Sequence, residues 1–174
     1  MRVNADAMTL YAVTDRTWVE DTTLMNQVKE ALEGGITFLQ LREKHLSKEE
    51  FIKEAREMKE LSKEYKVPFV INDNIKVALE VDADGVHIGQ DDMSVEEARK
   101  LLGEDKIIGV SAHNVKEALK AQKGGADYLG VGAVCATSTK KDANVVSKEE
   151  IKKIKEAVDI PIVAIGGIKK DNID

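Results

Sequence analysis

The sequence has little of what several large classes of protein need. One cysteine, Cys135, stands among 174 residues, which excludes an internal disulfide and a multi-cysteine zinc site and fits a reducing compartment. Aromatic residues make up 4% of the chain and the net charge is -6, so neither a basic face nor stacking platforms for nucleic acid are expected. No apolar run approaches the roughly 20 residues that cross a bilayer, and the first residues lack a signal-peptide core. We therefore expect a cytoplasmic protein with no nucleic-acid or membrane partner.

Short apolar runs alternate with longer segments of helical spacing, which is typical of a parallel α/β protein. The predicted strands are 9–14, 37–42, 68–73, 85–90, 107–111, 128–134 and 161–166. Ser47, Ser94 and Ser147 each stand three positions before a glutamate, the capping-box pattern of a helix start. After the first of these serines, Phe51, Ala55, Met58 and Tyr65 form one apolar stripe, which predicts a helix lying on the sheet.

No linker or low-complexity tract interrupts this series, so residues 1–174 form a single predicted domain. Two architectures suit the βα repeat: a doubly wound open sheet and a (β/α)₈ barrel. No G-x-G-x-x-G follows the first strand, and seven regular repeats exceed what a small open sheet uses. We therefore predict the α/β class and a (β/α)₈ TIM barrel.

A complete barrel of this kind typically has about 250 residues, whereas the last predicted strand here ends at Gly166. We expect the chain to be C-terminally incomplete, ending after strand 7, with strand 8 and the last helices missing. That arrangement leaves the edges of the first and seventh strands unpaired, and unpaired edges favour association. Association into a homo-oligomer therefore remains a possible outcome.

Polar residues follow nearly every predicted strand, at the end where barrels keep their chemistry. Alternation along the second strand places Gln40, Arg42 and Lys44 on one face and Leu39, Leu41 and Glu43 on the other. The remaining polar groups are Asn72-Asp73, Gly89 to Asp92, Ser111 to His113, Thr137 to Lys140 and Gly166-Gly167.

These groups together indicate an anionic ligand and a metal. Arg42, Lys44 and Lys140 supply the positive charge that a di- or triphosphate requires. Asp73 and Asp92 suit one Mg²⁺, which takes one or two carboxylates and completes its octahedron with water and phosphate oxygens. The hydroxyls of 137–139 and the glycine backbone at 166–167 suit a second, smaller phosphate. Two phosphate sites imply two substrates.

Each of these groups also has a simpler structural explanation. Asp73 suits a helix N-cap, and Asp92 suits a turn before Ser94. Arg42 and Lys44 are also explained as surface charges of an ordinary loop. Residues 137–139 are also explained as a flexible loop, and Gly166-Gly167 as a tight turn. His113 is more typical of a helix-cap neighbour than of a general base, and functional roles are still less favoured for His87, His45 and Cys135.

Seven short motifs run in register along the chain. They are QLREK at 40–44, IND at 71–73, DGVHIGQDD at 84–92, IGVSAH at 108–113, YLGVG at 128–132, TSTK at 137–140 and IGGI at 165–168. In order and spacing they resemble the thiamine-phosphate synthase (thiamine-phosphate pyrophosphorylase) family, and the resemblance covers nearly the whole chain.

The resemblance implies a transferase that condenses 4-amino-2-methyl-5-hydroxymethylpyrimidine diphosphate with thiazole phosphate. The products are thiamine phosphate and pyrophosphate, and the implied mechanism is dissociative and assisted by Mg²⁺. The implied pyrimidine diphosphate ligands are Gln40, Leu41, Arg42, Glu43, Lys44, Asn72, Ser111 and Lys140, and the implied thiazole phosphate ligands are Thr137, Ser138, Thr139 and Gly167. Asp73 and Asp92 would hold the Mg²⁺. We assign Arg42, Lys44, Ser111 and Lys140 to the catalytic set.

Two positions depart from the family pattern. Asn74 stands where many members have arginine, which removes an anion contact, and residues 132–136 replace a segment with proline and a bulky residue, which predicts a looser loop. We expect weaker binding rather than different chemistry. Two other functions stay open: a thiazole tautomerase-like isomerase, which would use a histidine, and a non-catalytic phosphate-binding barrel. Retention of Asp73, Asp92, Arg42 and Lys140 argues against the tautomerase, which has no diphosphate to bind.

Overall fold

The structure, a computed structural model, describes residues 3–19, 21–135 and 145–173. Its strands are β1 Tyr11–Val13, β2 Phe38–Leu41, β3 Phe69–Asn72, β4 Gly85–Ile88, β5 Ile107–Ala112, β6 Tyr128–Val131 and β7 Ile162–Ala164. The α-helices are α1 Leu24–Glu33, α2 Lys48–Glu64, α3 Ile75–Glu80, α4 Val95–Leu102, α5 Val115–Gly124 and α6 Lys148–Ala157, and short 3-10 turns cover Asp6–Met8 and Arg16–Trp18. Each predicted strand overlaps one observed strand; six of the observed strands lie within the predicted ranges, and β5 extends one residue further, to Ala112.

The strand order decides between the two predicted architectures. The seven strands form one sheet in the order β1 to β7, and every neighbouring pair is parallel. A doubly wound sheet reverses its strand order at a switch point, and this sheet does not. The strands therefore stand in a nearly closed barrel. No eighth strand lies in the described part of the chain, where β1 pairs with β2 and β7 pairs with β6.

The two faces of the strands build two separate apolar clusters. Leu39, Leu41 and Ile71 belong to the cluster between the sheet and the helices. Phe38 and Tyr128 belong to a smaller cluster inside the barrel, which Met8 of the N-terminal 3-10 turn closes from below. Above this interior cluster lie buried polar side chains, among them Gln40, Asn72 and His87. The interior thus changes from apolar to polar toward the carboxyl ends of the strands.

The helix starts follow the serine signals with one difference. Ser47 and Ser94 form complete capping boxes. Ser147 caps α6 by accepting from the backbone N–H of Glu150 at 3.1 Å, but the Glu150 carboxylate accepts from the backbone N–H of Val115 at 3.1 Å. The third glutamate therefore joins α6 to the start of α5 instead of closing a box.

The predicted stripe on α2 is confirmed at three of its four positions. Phe51, Ala55 and Met58 are buried. Tyr65 is 36% exposed, because α2 ends at Glu64 and Tyr65 forms its C-cap. The stripe was predicted one turn too long.

An aspartate before β4 and another before β6 fix the strands at the lower end of the barrel. Asp84 accepts from the backbone N–H of Phe69 at 2.7 Å, and Asp127 accepts from that of Ile108 at 2.9 Å. Arg99 binds the Asp127 carboxylate at 2.6 Å. Each aspartate ties the start of the preceding strand to its own segment, so the Ala-Asp pairs at 83–84 and 126–127 have the same structural role.

Candidate active site

Residues 40–44, at the end of β2 and directly after it, divide between the barrel interior and its outer face. Gln40 is buried inside, whereas Leu41 packs in the cluster beneath the helices. Arg42 is half-buried, and Lys44 keeps 44% of its side chain exposed. Gln40 and Lys44 thus adjoin the barrel mouth as the alternation predicts, while the side chain of Leu41 faces away from it.

The Glu43 carboxylate takes part in a contact between two loops. Its side chain is 2% exposed and its Oε1 lies 2.7 Å from Nε of Arg16, whose Nη2 lies 2.5 Å from Glu54 Oε1. Burial raises the pKa of Glu43, and the nearby Glu54 raises it further, against the opposing charge of Arg16. The Glu43 carboxylate therefore ties the loop after β2 to the turn after β1.

Asp73 holds an unusual backbone conformation directly after β3. Its φ is 59°, in the left-handed region that most residues avoid and aspartate tolerates better than most. Asn74, rather than Asp73, caps α3 by accepting from the backbone N–H of Val77 at 3.0 Å, so the N-cap explanation of Asp73 is wrong. The Asp73 carboxylate forms an ion pair with Nζ of Lys44. Residues from the ends of β2 and β3 thus meet.

Asp92 brings a second carboxylate to Asp73. It accepts from the backbone N–H of Gly89 at 2.7 Å, which confirms the turn explanation, and its carboxyl group also adjoins that of Asp73. Burial raises the pKa of Asp92, and Asp73 raises it further, while the charge of Lys44 opposes both. A raised pKa means that a second negative charge is costly here, which is the electrostatic setting that a bound cation relieves.

A cavity of about 400 Å³ opens beside this ion pair, lined among others by Lys44, Asn72, Asp73, Lys76 and Met93. Lys76, in the first turn of α3, adds a second ammonium group that sequence reasoning missed. Its signal was its position three residues after Asp73, at the start of a helix that faces the same mouth. Charged groups from the loops after β2 and β3 and from α3 therefore border one space.

The carboxylates in the described residues form no group of three or more metal-binding side chains. Asp73 and Asp92 alone are a fitting set for Mg²⁺, which commonly keeps several waters and substrate oxygens. The repulsion that raises the pKa of Asp92 supports this fit.

Ser111 meets a buried histidine inside the barrel. Its Oγ lies 3.0 Å from His87 Nε2, and His87 Nδ1 lies 3.0 Å from the Tyr128 hydroxyl. Burial lowers the pKa of His87 to about 4, although Asp73 acts in the opposite sense, so the ring is neutral at pH 7. His87 and Tyr128 were not predicted as site residues. Their signal was the pair of glycines, Gly109 on β5 and Gly130 on β6, which leave space for the two rings.

The last predicted group lies partly outside the described residues. Thr137, Ser138, Thr139 and Lys140 are outside them, and Gly166 and Gly167 have φ values of 97° and 68°, which confirms a tight turn. The segment before Thr137 is tied down as far as it is described. The backbone N–H groups of Val134 and Cys135 donate to Ile165 and Gly166, each at 2.9 Å, so the expected loosening is not seen up to residue 135.

The other two histidines take the simpler explanations. His113 Nδ1 lies 2.9 Å from Glu117 Oε2, next to Asn114, which caps α5. His45 is exposed in the loop before α2. Neither adjoins the Asp73 and Asp92 pair.

The comparisons with known proteins agree with the fold and identify the family. Residues 10–174 match the family model described as thiamine monophosphate synthase. The thiamine-phosphate synthase of Clostridium acetobutylicum is 54% identical over 163 residues, which cover 94% of this chain and 77% of that protein. That of Clostridium tetani is 52% identical over 165 residues, 95% of this chain and 79% of that protein.

One solved structure is similar over nearly the whole chain. It is a thiamine phosphate pyrophosphorylase from Pyrococcus furiosus, with a TM-score of 0.88 and 43% identity, and the match covers 97% of this chain and 79% of that one. Among the described residues, no helix has both the length and the apolar character needed to cross a membrane.

Proposed function

The chain belongs to the thiamine monophosphate synthase family, a family of transferases, and on that premise we propose that it makes thiamine phosphate. The substrates are 4-amino-2-methyl-5-hydroxymethylpyrimidine diphosphate and thiazole phosphate, and pyrophosphate is the second product. We further propose that the reaction takes place in the cytoplasm. The observation that carries the proposal is the convergence of Lys44, Asp73, Asp92 and Lys76 on one mouth of the barrel.

The diphosphate is assigned to the cavity beside Lys44. Lys44 and Lys76 line this cavity and supply cations, Asn72 lines it and supplies an amide, and Arg42 is assigned to the same diphosphate. Ammonium and guanidinium groups stabilise the charge that develops on a departing pyrophosphate, and such preorganised contacts are usually the largest catalytic contribution. Asn74 occupies the position where many members of the family have arginine, and Lys76 lines the same cavity as Asn74. Lys140 completes the catalytic set with Arg42, Lys44 and Ser111.

Asp73 and Asp92 are assigned to Mg²⁺. A bound Mg²⁺ would neutralise diphosphate oxygens and orient the leaving group. Lys44 pairs with Asp73 in the structure, so substrate binding requires Lys44 to exchange that carboxylate for a phosphate oxygen. The exchange frees Asp73 for the cation.

The thiazole phosphate is assigned to Thr137, Ser138 and Thr139 with Gly167. Gly166 and Gly167 form a turn with φ values of 97° and 68°, and backbone N–H groups of such turns are the donors assigned to this phosphate. Late βα loops of barrels often bind phosphate in this way.

The reaction proceeds in two steps without a covalent enzyme intermediate. The bond between the pyrimidine methylene carbon and the diphosphate oxygen breaks first, and its electron pair leaves with pyrophosphate. The positive charge is shared between the methylene carbon and the ring. The thiazole nitrogen then donates its lone pair to that carbon, so catalysis depends on holding two substrates in line.

The test compares two lysines that each pair with an aspartate in a left-handed conformation. Lys44 pairs with Asp73 at the barrel mouth, and Lys59 pairs with Asp82 before β4, at the opposite end. With both substrates and Mg²⁺ present, we expect Lys44→Ala to lower the rate of pyrophosphate release about 10²-fold or more and Lys59→Ala to leave it unchanged. Equal effects of the two variants would overturn the assignment. A tautomerase or a non-catalytic binding barrel would release no pyrophosphate with the wild-type chain.

A further inference from the structure

A line of five hydrogen-bonded side chains crosses the barrel interior, and only its two ends are among the implied pyrimidine diphosphate ligands. We call it the interior chain; in order it contains Gln40, Tyr11, Tyr128, His87 and Ser111. Its four links measure 2.7 Å from Gln40 Nε2 to the Tyr11 hydroxyl, 2.6 Å between the two tyrosine hydroxyls, and 3.0 Å on each side of the histidine ring. The line joins β2 to β5, so two proposed substrate ligands on different strands are connected through protein.

The first link sets the direction of all the others. Gln40 donates through Nε2, so the Tyr11 hydroxyl accepts this bond. Among the described residues Tyr128 is the remaining partner of that hydroxyl, so the Tyr11 proton is satisfied only if it is donated to Tyr128. Tyr128 then donates to His87 Nδ1, because its hydroxyl has one proton and has already accepted from Tyr11. A neutral imidazole that accepts at Nδ1 carries its proton on Nε2. His87 therefore donates to Ser111 Oγ.

This direction leaves complementary groups at the two ends. The Ser111 hydroxyl has accepted a bond and keeps its own proton to donate. Gln40 has used Nε2, and its Oε1 accepts no bond from the described residues. One end of the interior chain is thus a donor and the other an acceptor, and reversing the amide of Gln40 would exchange the two roles.

Two glycines make room for the middle of the interior chain. A Cβ on Gly109 would overlap the ring and hydroxyl of Tyr128, and a Cβ on Gly130 would lie 2.9 Å from His87 Cε1. Tyr128 is fully buried and His87 is 8% exposed. The strands therefore keep space at two positions for this pair of polar rings, where apolar side chains would have filled the barrel without hydrogen-bonding requirements.

We propose that Tyr11, Tyr128 and His87 are positioning residues that fix Ser111 as a donor and Gln40 as an acceptor toward the substrate ring. A ring that presents an acceptor nitrogen beside an amino donor matches this pair, and a ring with the reverse pattern does not. The inference rests on the proposed function for the identity of the ring. The direction of the interior chain is a property of the free protein.

The first experiment needs no substrate. In protein labelled with ¹⁵N-histidine at pH 7, the side-chain signals of His87 are assigned by their loss in His87→Asn. We expect Nε2 to be protonated and Nδ1 to be an acceptor, and we expect this preference to weaken in Tyr128→Phe, which removes the donor to Nδ1. Protonation at Nδ1 in the wild-type protein would overturn the proposal whatever reaction the protein catalyses.

The second experiment compares the amino-pyrimidine diphosphate with its 4-oxo analogue, in which the ring nitrogen donates and the oxygen accepts. We expect kcat/KM of the wild type to favour the amino substrate about 10²-fold, since a site built for one hydrogen-bonding pattern leaves the reverse pattern unpaired. In Tyr128→Phe we expect the preference to fall below about tenfold. Tyr11→Phe, which breaks the preceding link, gives the same readout if Tyr128→Phe does not fold.

The control is Tyr65→Phe, the same substitution at the half-exposed C-cap of α2, which should keep the full preference. An unchanged preference in both Tyr128→Phe and Tyr11→Phe would overturn the proposal while the proposed function stands. If the wild type forms no product from either substrate, the proposed function fails, and the histidine signals alone then decide the direction of the interior chain.

Discussion

Replacing Asp73 with asparagine should separate the role of its charge in catalysis from its role in stability. The substitution keeps the shape of the side chain and removes the charge that pairs with Lys44. The two side chains of this ion pair are 44% and 27% exposed, and such partly solvated pairs contribute at most about 1 kcal/mol. Asparagine also tolerates the left-handed backbone that Asp73 adopts with φ 59°. The loss of repulsion with Asp92 acts in the stabilising direction.

We therefore expect the free energy of unfolding of Asp73→Asn to stay within about 1 kcal/mol of the wild type. Turnover should fall about 10²-fold or more, a loss of about 2.7 kcal/mol or more in transition-state stabilisation. Urea unfolding measures the first quantity, and thiamine phosphate formation under saturating Mg²⁺ measures the second.

Asp82→Asn is the matched control for this prediction. Asp82 also has a left-handed backbone, with φ 53°, and it pairs with Lys106 at 2.5 Å and with Lys59 at 3.3 Å. It precedes β4 and so lies at the other end of the barrel. We expect a similarly small change in stability and no change in turnover. Retained turnover in Asp73→Asn, or an equal loss in Asp82→Asn, would contradict a catalytic role for the Asp73 charge.

Three further predictions concern the cavity, the barrel interior and the loops. Lys76→Ala should raise KM for the pyrimidine diphosphate about three- to tenfold with little change in kcat, because it removes one of several cations that bind the ground state; steady-state kinetics would contradict this by showing a loss in kcat alone. Unfolded histidine takes up a proton below about pH 6.5, whereas burial lowers the pKa of His87 in the folded protein to about 4. The free energy of unfolding should therefore fall by up to about 3 kcal/mol as the pH is lowered between these values. Urea unfolding of His87→Asn should show a smaller fall. Arg16→Met should cost about 3 kcal/mol at pH 7 by leaving Glu43 buried without its counter-charge, and the defect should shrink as pH falls and Glu43 takes up a proton; a defect that grows in acid would refute this.

The strands and most helix starts could be predicted because their signals are local. A run of apolar residues that is buried on both faces needs no knowledge of its neighbours, and Ser47 and Ser94 cap helices through a glutamate three residues away. Ser147 shows the limit. Its glutamate binds Val115 of another helix, and a contact across 35 residues leaves no trace in local spacing.

The site was predictable where strand alternation decides which way a side chain points. Gln40 lies inside and Leu41 outside, as the period of two requires. The structural role of Glu43 and the place of Asn74 as helix cap were not predictable, because both depend on how a chain leaves its strand. The interior chain was missed for a related reason. The sequence around a histidine within a strand does not indicate a tyrosine that lies two strands away. Only Gly109 and Gly130, which leave space for the two rings, indicate that such a pair is there.

Thiamine phosphate formation in response to Mg²⁺ is the most direct test of the proposed function. The wild-type chain is incubated with both substrates, the metal is removed with a chelator and then restored, and both products are quantified by mass spectrometry. The proposed function predicts equal amounts of thiamine phosphate and pyrophosphate, and both products should disappear on chelation and return with Mg²⁺. Absence of thiamine phosphate at every Mg²⁺ concentration, or formation that chelation does not affect, would contradict it.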